Sequence, residues 1–198
     1  IYNRGTIETL QADFDYNYST GTGSSKGGAI YADIASNINT LTGSLTNNYV
    51  IGTNSTGGGA LYINQNANIG SIESSSVASN YSIATADDSV GGAIANLGTI
   101  NNIVTGFANN YTQSSSAAAY GGAIYNKGSI GQVTAGFKKN YANSINGTAY
   151  GGAVYNSGTM SLHDGTIFEE NYAVGSAQAE GGAFSNTGTI QEIINTTF

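Results

Sequence analysis

Side chains capable of chemistry are few in this chain, and most of them recur at one interval. The only histidine, His163, stands beside Asp164 and has no counterpart elsewhere. Neighbours on a strand point to opposite faces, which disfavours joint action by this pair. Asp13 and Asp15 flank Phe14 and share a face two residues apart. Carboxyls so placed can work as acid and base on a glycosidic bond, although a solvated face or a weak calcium site is the simpler reading. Asp87-Asp88 is a further acidic couple, unrelated to it. Tyrosines are the richer set. Tyr18, Tyr49, Tyr81, Tyr111, Tyr141 and Tyr172 form one file. Tyr2, Tyr31, Tyr62, Tyr125 and Tyr155 form a second, broken at Ala95 and Ser185. Aromatic files along a polar surface stack on sugars or anchor protein partners. Cross-strand stacking that only stabilises a sheet is the plainer alternative. Tyr31, Tyr62, Tyr125 and Tyr155 are the candidate binding stripe, and the breaks at Ala95 and Ser185 leave gaps that a ligand group could enter.

What must position these residues is a repeat. Gly121-Gly122-Ala123-Ile124-Tyr125-Asn126 returns as Gly151-Gly152-Ala153-Val154-Tyr155-Asn156 and as Gly181-Gly182-Ala183-Phe184-Ser185-Asn186. Earlier copies open at Gly27, Gly58 and Gly91, so the starts lie 31, 33, 30, 30 and 30 residues apart. A second motif keeps step: Phe107-Ala108-Asn109-Asn110-Tyr111, Phe137-Lys138-Lys139-Asn140-Tyr141 and Phe168-Glu169-Glu170-Asn171-Tyr172. Looser copies span Phe14 to Tyr18, Leu45 to Tyr49 and Val77 to Tyr81. Two motifs recurring together at this period define a repeat array.

Units begin at Ile1, Ile30, Leu61, Ile94, Ile124, Val154 and Phe184, six full repeats and a partial seventh, and residues 1–198 are expected to be one segment of a longer array. Each unit reads as three short apolar segments divided by turn chemistry, with a polar Ser/Ala/Thr/Asn return. No segment carries a helical period, so the expected fold is all-β: a right-handed parallel β-helix of about 30 residues and three short strands per coil. Asn17, Asn48, Asn80, Asn110, Asn140 and Asn171 hold one position in every unit, and stacked amides there form an inward hydrogen-bonded ladder. Asn3, Asn96, Asn126, Asn156 and Asn186 are a second set. Tyr31 to Ile38 and Tyr62 to Ile69 are longer than Tyr125 to Ile130, which predicts a bulge shared by the units that begin at Ile30 and Leu61.

Composition narrows the function. Charged residues make up 9% of the chain and the net charge is −7, with Arg4, Lys26, Lys127, Lys138 and Lys139 the only lysines and arginines. That disfavours nucleic acid and anionic lipid as partners. There is no cysteine, hence no disulfide and no thiolate metal site. No apolar run is long enough to cross a bilayer, so no direct membrane insertion by this segment is expected. The glycine pairs are not a phosphate loop, since no helix and no Lys-Ser/Thr follow them. No catalytic residue, cofactor or metal is assigned, and the expectation is that this is not an enzyme.

The paired Gly-Gly-Ala-Ile and Phe-x-x-Asn motifs resemble the repeat of the chlamydial polymorphic outer membrane protein family along the whole chain. The resemblance implies an autotransporter-type passenger: a secreted β-helical rod held at the bacterial outer surface by a C-terminal barrel, often an adhesin. Its partners would be host or neighbouring-cell surface proteins or glycans. The alternatives are a structural repeat that associates end to end into filaments or a surface layer, and a tailspike-like rod that processes glycans.

Overall fold

The computed structural model describes residues 1–198 and contains no helix. Strands of successive coils pair in parallel. Ile30, Leu61, Ile94, Ile124, Val154 and Phe184 are direct neighbours across one sheet. The chain is therefore a parallel β-helix, and the repeat starts read from the sequence are the registers that pair.

Four sheets run along the rod. The glycine sheet holds the three-residue strands after each Gly-Gly-Ala, such as Ile124–Asn126. The long sheet holds strands such as Thr99–Ala108 and Ser129–Lys138. The tyrosine sheet runs from Tyr18–Gly21 to Tyr172–Gly175, and the return sheet from Ser25–Lys26 to Gln178–Glu180. The coil thus has four strands where the motif pattern suggested three. In the four middle coils the second and third apolar segments join into one strand, as in Thr99–Ala108, while in the first and sixth they stay apart, as Thr6–Gln11 with Phe14–Asp15 and Thr159–Leu162 with Ile167–Glu169. The polar return is no loop either. Its serines and threonines face inward and bond one another: the Ser82 hydroxyl donates to Thr56 Oγ1 at 2.8 Å, and that of Ser89 to the Ser82 carbonyl at 2.7 Å.

Corners follow from local chemistry. Tyr16, Asn47, Ser79, Asn109, Lys139 and Glu170 all turn the chain with φ between 54° and 57°, a conformation disfavoured for residues with a Cβ. The following asparagine compensates. Asn48, Asn80, Asn110 and Asn140 are 0% exposed, and each Nδ2 donates to the next Oδ1 at 3.0–3.1 Å. Each also donates to a long-sheet carbonyl, as Asn110 does to Val77 at 2.9 Å. The ladder runs from Asn17 to Asn171 without a break. At the glycine corner, Gly121 has φ 60°. A Cβ on Gly122 would lie 2.2 Å from the Gly152 oxygen, so close coil approach excludes it.

The main core, 29 buried residues, fills the space between the glycine and long sheets. Identical side chains stack within it: Phe107 on Phe137 at 5.0 Å, Phe137 on Phe168 at 4.7 Å. Each such ring contributes about 1.5–3 kcal/mol by burial. Outside, Lys138 pairs with Glu169 at 2.9 Å and Lys139 with Glu170 at 3.3 Å, as one-to-one stacking of these coils requires.

Candidate binding site

The second asparagine ladder joins Asn96, Asn126, Asn156 and Asn186 at 2.7–2.8 Å. Between Asn3 and Asn96 it is broken, since Ala32 and Ile63 occupy its register. There the enlarged turns provide the ties. Asp33, 8% exposed, accepts from the Tyr2 hydroxyl at 2.5 Å and from Asn64 Nδ2 at 3.0 Å, and faces Arg4 at 3.1 Å. The Tyr2 hydroxyl, then the Ile34 N–H and Asn64, hold its carboxyl down at about 2. The two turns thus bulge together, joined side chain to side chain.

The glycine corner folds the return sheet against the outer side of the glycine sheet, and the angle between them is a groove. One wall carries Tyr2, Tyr31, Tyr62, Ala95, Tyr125, Tyr155 and Ser185 in register. The other carries Lys26, Gly57, Val90, Tyr120, Tyr150 and Glu180. The candidate stripe is therefore recessed, not free on the surface of the rod: Tyr31, Tyr125 and Tyr155 are partly covered, and Tyr62 is 4% exposed. Tyr31 stacks on Tyr62 at 5.2 Å and Tyr125 on Tyr155 at 5.6 Å. Tyr120 and Tyr150 cross the second pair, with Tyr120 4.8 Å from Tyr155. Burial pushes the Tyr62, Tyr120 and Tyr125 phenols up, with Asp88 adding to the effect at Tyr120. They remain neutral hydrogen-bonding groups at physiological pH.

Between the two tyrosine pairs the residues in register are the small Gly57, Val90 and Ala95, with Ala95 fully buried, and over them a cavity of about 200 Å³ opens between Tyr62 and Tyr125. Tyr62 and Tyr125 close its two ends, Leu97 and Val90 add apolar surface, and Lys26, Lys127, Asp88 and Ser55 form the rim. The Lys26 ammonium reaches past the bare Gly57 to lie 4.8 Å from the Tyr62 ring centre. One oxygen of Asp88 accepts the Ala118 N–H at 3.0 Å; its other oxygen has no partner. This is the gap that the missing tyrosine at position 95 leaves in the file. Its return-sheet wall was not foreseen, although the signal exists: the residue before each Gly-Gly is itself a file.

The other candidates are dispersed. Asp13 accepts the Ser44 N–H and hydroxyl, both at 2.8 Å, bonds that lower its carboxyl, while Asp15 holds Thr46 and Asn47. Both acids tie the first coil to the second. His163 lies 3.8 Å from Glu192, and Asp164 takes the Asn195 amide instead. A cavity of about 410 Å³ beside His163 has no hydrophobic lining residue, so it offers no dry wall for a ligand. The tyrosines of the first file stack along the tyrosine sheet at 4.8–5.1 Å with no cavity among them. No protein-family model, curated protein or solved structure matches the chain.

Proposed function

We propose that the chain is a ligand-binding segment of a bacterial surface rod, a passenger of the polymorphic outer membrane protein type. It acts outside the cell, at the outer membrane or after secretion, and binds molecules of a host or neighbouring cell through the tyrosine groove. The observation that carries this reading is the cavity at Ala95. A file of stacked rings stabilises a sheet best when unbroken. Here it is interrupted in the middle of the rod, and the interruption exposes aromatic and apolar walls beneath a polar rim, the composition of a small recognition pocket. Nothing in the proposal requires catalysis.

The test is adhesion of the purified chain to cells. Tyr125→Ser opens the cavity at one end and removes a contact worth about 1–2 kcal/mol in a desolvated site, a loss of binding of about five- to thirtyfold. Tyr141→Ser makes the same change on the tyrosine sheet and should leave adhesion intact. Equal loss in both variants, or none in either, would overturn the assignment of the groove. Antibody labelling of intact cells that make the protein checks the location, and labelling only after lysis would contradict it.

A further inference from the structure

The chain has five lysines and arginines. Three of them pair with carboxylates: Arg4 with Asp33, Lys138 with Glu169 and Lys139 with Glu170. The two without an ion pair, Lys26 and Lys127, both line the cavity at Ala95. In a chain of net charge −7, cations without an ion pair are the exception, and two of them against the single carboxylate of Asp88 leave the rim of this cavity with an excess of positive charge for an anion to meet.

The same rim holds the free oxygen of Asp88, an acceptor that repels an anion and needs a hydroxyl or amide donor. A ligand meeting both demands carries a carboxylate at one edge and hydroxyls at another. The space between Tyr62 and Tyr125 sets its shape. They stand two coils apart, about 10 Å at the usual strand spacing, so one ring fits between them in the place of the missing tyrosine. The cavity of about 200 Å³ is too small for a larger body; pockets for drug-sized molecules begin near ~300 Å³.

We infer that the cavity at Ala95 receives one acidic sugar residue, a uronic or sialic acid unit of a glycan, its ring between Tyr62 and Tyr125 and its carboxylate held by Lys26 and Lys127. Its hydroxyls donate to Asp88. An acidic peptide with an aromatic side chain fills the ring space equally, but its amide donors lie on the backbone outside the ring, whereas a sugar carries its hydroxyls on the ring that enters the cavity. The inference rests on the groove reading above and names its ligand.

Titration calorimetry of the full chain compares methyl glucuronide, N-acetylneuraminate and methyl glucoside. At least one of the two acids should bind about tenfold or more tightly than the neutral sugar, and Lys26→Gln and Lys127→Gln should each weaken that acid about tenfold. Raising the salt should weaken it further. Ala95→Tyr completes the aromatic file and should abolish sugar binding while the β-sheet circular dichroism is kept. If it disturbs the fold, the two lysine variants, both on the rim, still decide. Equal affinity for acid and neutral sugar, binding of a Glu-Tyr peptide in preference to both acids, or indifference to both lysine changes would overturn the inference. Adhesion of Ala95→Tyr to cells separates the two levels. Adhesion lost while neither acid binds the unaltered chain refutes the ligand class alone. Adhesion retained by a folded Ala95→Tyr refutes the groove itself.

Discussion

Replacing Asn110 with alanine tests how this fold holds its corners. The side chain is 0% exposed and takes part in four hydrogen bonds. Nδ2 donates to Val77 O at 2.9 Å and to Asn140 Oδ1 at 3.0 Å, while Oδ1 accepts from Asn80 N at 2.9 Å and Asn80 Nδ2 at 3.0 Å. The losses are unequal. Asn140 Oδ1 keeps the Asn110 backbone donor and Asn80 Nδ2 keeps the Leu45 carbonyl, but the Asn80 N–H is left buried without an acceptor. One orphaned donor costs about 1–3 kcal/mol and each of the three other hydrogen bonds about 0.5–1.5, so the change destabilises by about 2.5–7.5 kcal/mol. That is a large part of a typical domain's ~5–15 kcal/mol. Asn17→Ala is the control. Asn17 is exposed, and its side chain makes only the donor contacts to Asp15 O and Asn48 Oδ1, so about 1 kcal/mol or less is expected. Urea unfolding of both variants reads the difference. A loss under about 1 kcal/mol for Asn110→Ala would refute the ladder as the corner's main tie.

Two titrations test other contacts of the rod. Asp33 is held down at about 2 against an ordinary 3.8, chiefly by the Tyr2 hydroxyl, so its contribution is full above about 3.8 and is lost as pH falls toward 2. Asp33→Asn should therefore lower the melting temperature at neutral pH, with the deficit closing across that acid window, and a deficit unchanged through it would contradict the contact. Tyr111 is raised to about 12 by burial first and then by its neighbours Tyr141 and Tyr81. Its stabilising effect is intact below about 10 and disappears as pH rises through 12, so alkaline unfolding should coincide with late tyrosinate absorbance; full ionisation near 10 in the folded state would refute the stack.

Much of the fold was legible in the residues. The Gly-Gly and Phe-x-x-Asn spacings determined the register, because one side chain per coil must stack on its like, as Phe107, Phe137 and Phe168 do. Strand count was less legible. Hydrophobic period marks which residues point inward, not where the chain bends, and the bend after Phe107 is made by Asn109, whose φ of 55° no periodicity reveals. The polar return misled for a related reason: Ser82, Ser89 and Thr56 read as loop residues, but bonding one another lets them be buried. At the site, the tyrosine files and the gap at Ala95 were visible. Lys26, Asp88 and Lys127 were not, since they come from separate coils and meet only because the glycine corner folds one sheet against another.

The most direct test of the groove is a map of backbone amide shifts in the ¹⁵N-labelled chain on titration with methyl glucuronide and with N-acetylneuraminate. For the acid that binds, the changes should centre on Tyr62, Val90, Ala95, Leu97 and Tyr125 and saturate together, with the tyrosine sheet from Tyr49 to Tyr141 unmoved. Changes centred on that sheet or on His163, or a chain that responds to neither acid at saturating concentration, would contradict it.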